Sequence, residues 1–246
     1  MLSLIRVLKK RVFRFIFSYG KKWWFGAILF LSLYMVTLKT IYPFLTFDVE
    51  KMISFLFSVT YPAKDFQEFA VPYLWIIFQL FSIFGVFFSV VDLLEKQSTS
   101  LLIRIKSKRI LSCSLLISVL EVSFLYVLIF HFLVSIVVMN HSFLTLSIVK
   151  YFILLWLTVT IVNYLCLVVY LLFHNSVISL LASSVIITIA SLMNFKYFPL
   201  KNSLILNGQF NQYLNTDSYI LAILSSVIVL VVLVGTIDFL MKKHTF

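Results

Sequence analysis

Charge is scarce in this chain: 12% of its 246 residues are Asp, Glu, Lys or Arg, where a soluble globular domain carries about a quarter. Hydrophobic residues make up 62%, and mean hydropathy is +1.09. A water-soluble fold of this length cannot hide so much apolar surface, so lipid is the solvent for most of the chain. Cysteine is scarce too. Cys113 and Cys166 lie in or beside apolar runs, which excludes a disulfide framework and fits buried, inert thiols.

The signatures of catalysis are missing as well. A P-loop needs a glycine well upstream of Gly-Lys-Ser or Gly-Lys-Thr, and Gly20-Lys21-Lys22 supplies neither that glycine nor the hydroxyl. HExxH and GxSxG do not occur. His131, His141, His174 and His244 do not form a metal set by spacing. The sequence therefore predicts no enzyme, no metal site and no cofactor bound by this chain. No internal repeat is visible, and the two halves differ in loop length and charge, which argues against an inverted-repeat transporter. Ten-residue alternating strands, the mark of a membrane barrel, are absent.

What is present is a set of six apolar runs: Trp23 to Tyr42, Val71 to Val91, Leu111 to Met139, Phe143 to Phe173, Val177 to Met193 and Tyr219 to Met241. About 20 residues of helix cross the hydrocarbon core, and helices satisfy their own backbone groups in lipid. The expected fold is an all-α integral membrane protein, a single transmembrane domain over 1–246 with six spans. No small-x-small cleavage site follows the first run, which reads as a retained anchor rather than a signal peptide.

The formal net charge of +11 sets the orientation. The bases cluster at the ends of apolar runs rather than on one polar face, which points to anionic headgroups and not to nucleic acid. Arg6, Lys9, Lys10, Arg11, Arg14, Lys21 and Lys22 precede the first run with no acid among them. Lys96, Arg104, Lys106, Lys108 and Arg109 lie between runs two and three, and Lys242 and Lys243 follow run six. These segments share one side if every run spans, which predicts both termini in the cytoplasm.

Several segments are candidates for function. Ile5, Leu8, Val12, Ile16 and Tyr19 recur at helical spacing, with Arg6, Lys9, Lys10 and Arg14 on the other side. Residues 1–22 are thus expected to form an amphipathic helix on the cytoplasmic leaflet. Between runs two and three, Ser100 is placed to cap a short helix in which Leu101, Leu102 and Ile105 pack and Arg104 and Lys108 sit one turn apart. The competing reading is an ordinary positive-inside loop. The outer stretch Asn194 to Ser218, interrupted by Pro199 and Gly208 and carrying Lys201, is too apolar for a free loop and is expected at the outer interface. Within the spans, Gln79, Glu121, His131 and Asn163 are the polar residues of note. Such groups face protein or water, as functional groups or as helix–helix hydrogen bonds.

This arrangement resembles the permease subunits of type-2 ABC exporters. The stretch LLIRIKSKRI looks like the cytoplasmic loop of small permeases in bacteriocin and lantibiotic export or immunity systems, and FPLKNSLILNGQF is similar to their outer segment. The resemblance implies that Ser100, Leu101, Leu102, Arg104, Lys106, Lys108 and Arg109 couple to a separate cytoplasmic ATPase, which holds ATP and magnesium. It implies two permease chains, two ATPase subunits and an amphipathic cargo, either an antimicrobial peptide or a lipid-like molecule, in a bacterial cytoplasmic membrane. Two other readings stand beside it: an immunity or scaffold protein that binds a peptide without ATP, and a proton-coupled carrier that uses Glu121.

Overall fold

The computed structural model describes residues 2–41, 48–59, 72–105, 107–138, 145–192, 198–206 and 216–243; side chains are described for most of these. The chain is an all-α, multi-pass membrane protein. Its helices are α1 (Leu2–Ile41), α2 (Val49–Phe57), α3 (Tyr73–Ser82), α4 (Phe88–Ile105), α5 (Lys108–Val138), α6 (Leu146–Phe173), α7 (Ser176–Leu192) and α8 (Thr216–Lys243). Among the described residues, five stretches are long and apolar enough to cross a membrane: Arg6–Ile41, Tyr73–Lys96, Lys108–Val138, Leu146–Phe173 and Asp217–Lys243. The fifth predicted run is the shorter α7, whose 17 residues reach about 26 Å at 1.5 Å per residue, close to the roughly 30 Å of a hydrocarbon core.

Two expected boundaries are absent. The helix of residues 1–22 and the first span are one continuous α1 of 40 residues. No proline lies between Lys9 and Trp24, and the single Gly20 does not stop a helix whose other residues favour it. Likewise α3 and α4 join through one π-helical turn, Ile83–Phe87, into a rod that runs on to Ile105. The segment after run two is thus the end of that rod and not a separate short helix. Lys106 lies outside the described residues, and Lys108 already begins α5.

Two glycines let α1 approach the α3–α4 rod closely. A Cβ on Gly20 would collide with the carbonyl of Gly85, and a Cβ on Gly85 would collide with the Trp24 indole. Only hydrogen fits where α1 meets the π-helical turn. Elsewhere long-range hydrogen bonds tie the helices. Tyr126 donates to the Phe78 carbonyl at 2.9 Å, Tyr164 to that of Leu116 at 2.7 Å, and Trp156 to that of Leu120 at 3.1 Å. The α6–α7 turn is two residues long. His174 takes a left-handed conformation, with φ at 52°, and donates its N–H to Tyr170. Asn175 Oδ1 then accepts from the backbone N–H groups of Val177 and Ile178, capping α7.

Contacts sort the helix ends into two groups. Lys108 Nζ reaches the Lys242 carbonyl, and Tyr170 reaches Glu95, so the ends of α4, α6 and α8 gather with the start of α5. At the opposite end Lys39 reaches Val137, Thr145 reaches Glu50, and Trp75 reaches Ser203. That second end is closed by α2, a 3-10 turn at Pro199–Lys201, and a parallel pairing of the two-residue strands β1 (Ser58–Val59) and β2 (Ile205–Leu206). Large apolar side chains at helical spacing face outward, among them Phe25, Leu29, Leu33 and Val36 on α1 and Leu224, Ile228 and Val231 on α8. Lipid is the solvent that tolerates such a surface.

Candidate functional site

The two ends differ in chemistry. The end where α5 begins is basic. Lys108 and Arg109 open α5, and Lys108 bonds to the last turn of α8, which carries Lys242 and Lys243. Ser100, Leu101, Leu102 and Arg104 lie in the last two turns of α4, with helical backbone; their side chains are outside the described residues. The sequence-predicted coupling segment is therefore divided between the end of α4, which runs to Ile105, and the start of α5 at Lys108.

The N-terminal half of α1 flanks this end. Leu8, Val12 and Ile16 face the protein core rather than the leaflet that the sequence predicts for them, while Arg6, Lys10 and Arg14 are exposed. Tyr19 departs from that stripe and is 45% exposed. The buried stripe packs within the protein itself. The Lys9 carbonyl accepts from Ser118 on α5, and Lys9 Nζ pairs with Glu121 Oε1 at 2.5 Å. Both charged side chains are about one-third exposed, at 32% and 36%. Glu121 thus serves as a helix–helix link, one of the two roles its position allowed. Its partner lies 112 residues away in the sequence, and no local signal pairs them.

The other intramembrane polar residues are distributed rather than gathered. Asn163 donates through Nδ2 to Ser82 Oγ at 2.7 Å and to the Val159 carbonyl at 2.9 Å. Gln79 is fully buried, one turn before Ser82. His131 is buried, with Nδ1 3.0 Å from the Val127 carbonyl. It packs against Tyr151 and Phe152. Among the described residues, no group of three or more His, Cys, Asp or Glu is placed to hold a metal ion. Cys166 is buried and Cys113 half-buried, both as free thiols.

The capped end is a built polar knot. Pro199 starts the 3-10 turn, and the three residues after Leu200 are all buried. Asn202 Nδ2 lies 2.9 Å from the Ala222 carbonyl and 3.0 Å from Ser226 Oγ, which fastens the turn to α8. Trp75 Nε1 donates to Ser203 Oγ at 2.9 Å, and Tyr151 donates to the Ser203 carbonyl at 2.8 Å. Lys201 is 3% exposed, and burial pushes its ammonium pKa down to about 8. Gly208 lies outside the described residues. Sequence reasoning marked the stretch Asn194 to Ser218, with Pro199 and Lys201, but did not single out Asn202, Ser203 or Tyr151, and it gave no partner for Trp75. The signal available was a polar Lys-Asn-Ser triplet inside an otherwise apolar stretch.

Comparison with protein-family models, with curated proteins and with solved structures finds no match.

Proposed function

We propose that this chain is the membrane subunit of an ABC exporter of the small type-2 kind, with six spans and both termini in the cytoplasm. The observation that carries the reading is the α4–α5 hairpin. It projects a continuous helix past the apolar stretch that ends near Lys96 and returns at Lys108 and Arg109, beside the basic end of α8. A helical basic projection of this kind suits docking onto an acidic groove of a soluble motor. The positive-inside rule places that same end in the cytoplasm. α7 then completes the count as a sixth, short crossing.

In this reading the chain carries out no hydrolysis. Two copies, or one copy with a sister chain, stand on two ATPase subunits that hold ATP and magnesium, in a bacterial cytoplasmic membrane. Nucleotide binding moves the hairpins, and the helix bundles switch access for an amphipathic cargo, a peptide or a lipid-like molecule. The partly exposed Lys9–Glu121 pair supports a structural role for Glu121 over a proton carrier. The folded cap at the other end supports the runner-up, an immunity protein that binds a peptide there without ATP.

Replacing Arg104, Lys108 and Arg109 together with Ala tests the proposal. With insertion normal, transport or tolerance of the cargo is expected to fall to the level of cells lacking the chain. Unchanged transport would remove the hairpin from the coupling route.

A further inference from the structure

A cleft between α1, the α3–α4 rod and the first residue of α7 joins two chemistries that the overall composition keeps apart. It is an open cleft of about 360 Å³, and its lining includes Tyr19, Trp23, Phe84, Phe88, Asp92 and Glu95. Three rings stack in series. Trp23 lies on Phe84 with centroids 5.0 Å apart and planes at 21°, and Phe84 lies on Phe88 at 5.6 Å and 6°. Trp23 and Tyr19, one turn apart on α1, are each 45% exposed. One and two turns further along α4 come the carboxylates. Asp92 is paired with Lys96, one turn on. Glu95 accepts a hydrogen bond from Tyr170 at 3.0 Å and makes no ion pair among the described residues.

The position of these acids is unusual. The chain has 9 acids against 20 bases, and the orientation expected from its bases does not depend on acids at this end. Asp92 and Glu95 both line this aromatic cleft, and with Asp92 held by Lys96, Glu95 supplies its carboxylate without an ion pair among the described residues. Aromatic faces present negative quadrupoles, and a carboxylate beside them adds full charge, which together select an organic cation. The gradient from stacked rings to carboxylates fits a ligand with an apolar body and a cationic head, whereas an anionic amphiphile would meet repulsion at the same place. A volume of this size holds a small molecule and not a folded peptide.

We propose that this cleft is a binding site for lipophilic organic cations, with the charge at Asp92 and Glu95 and the apolar body on Trp23, Phe84 and Phe88. It rests on the permease reading only in taking the bound cation for cargo.

The test uses the full chain in nanodiscs of zwitterionic lipid. The probe is tetraphenylphosphonium, and its control is tetraphenylborate, an anion of nearly the same shape. Equilibrium dialysis is expected to show saturable tetraphenylphosphonium binding above that of empty discs and none for tetraphenylborate. Asp92→Asn with Glu95→Gln should weaken binding about tenfold or more, as should Trp23→Leu with Phe84→Leu. Ile228→Ala, on the outward face of α8 and outside the cleft, should retain it and serves as the folding control. Binding equal to empty discs, equal binding of the two ions, or carboxylate variants that bind like the wild type would overturn the proposal. The measurement needs no ATPase, so its failure leaves the permease reading standing, and failure of that reading leaves the cleft.

Discussion

Lys201 illustrates how single residues act at the capped end. Its ammonium is buried beside Asn202 and Ser203, which lowers its pKa from 10.5 to about 8. The group is released to its ordinary pKa on unfolding. Between pH 8 and 10.5 the unfolded chain therefore binds more protons than the folded one, and stability rises with pH across that window. Below pH 8 both states are protonated and the burial cost is fully present. Lys201→Met is expected to flatten this rise; thermal unfolding in detergent at pH 7.5, 9 and 10.5 checks it. The Lys9–Glu121 pair obeys a different arithmetic. Both side chains are about a third exposed, so a double-mutant cycle with Lys9→Met and Glu121→Gln should return a coupling of about 1 kcal/mol or less. The sequence marks Glu121 as a charge that lipid cannot hold alone, yet its partner is legible only once α1 and α5 are packed. Gln79, Asn163 and His131 were legible in the same limited way. Their burial followed from their place in apolar runs, and their contacts did not.

At the scale of elements, α1 and the α3–α4 rod depend on two glycines. Gly20 and Gly85 meet where a Cβ on either would collide with backbone or with Trp24. Gly85→Val is expected to destabilise the fold by about 2 kcal/mol or more, while Gly26→Ala, with open space around it, should be neutral or slightly stabilising. Denaturant midpoints of the two variants separate these outcomes. The α6–α7 turn makes a smaller demand: Asn175→Ala removes the cap of α7 and should cost about 1 kcal/mol. Apolar runs in the sequence locate the helices well, because lipid enforces both their length and their composition. They do not locate where helices stop. Charge ends a span, but Glu95, Lys96, Gln97, Leu101, Leu102 and Arg104 are all good helix formers, so α4 continues to Ile105 where hydropathy alone reads a loop. In α1 the sequence predicts a helix over 1–22 and a span after it, but not that the two are one helix.

For the whole molecule, the sequence makes the membrane class legible and the structure sorts the helix ends. The cap is the least legible part, since its parallel strand pair joins residues 58–59 to 205–206 and no local pattern announces so distant a contact. With Cys113 and Cys166 replaced by Ser, single cysteines at Lys10, Arg109 and Lys243 should resist a membrane-impermeant maleimide in intact cells, while cysteines at Lys51 and Asp217 should label. Labelling of Lys243 together with Lys51 would mean that α7 does not cross. The most direct test of the functional account is recovery of the tagged chain in mild detergent, followed by mass spectrometry and an ATP hydrolysis assay. The account predicts that a P-loop ATPase co-purifies and hydrolyses ATP, and that it is lost when the basic residues from Arg104 to Arg109 are replaced. Recovery of the chain alone, with no hydrolysis, would contradict it and turn the interpretation to a stand-alone protein that works through its outer cap.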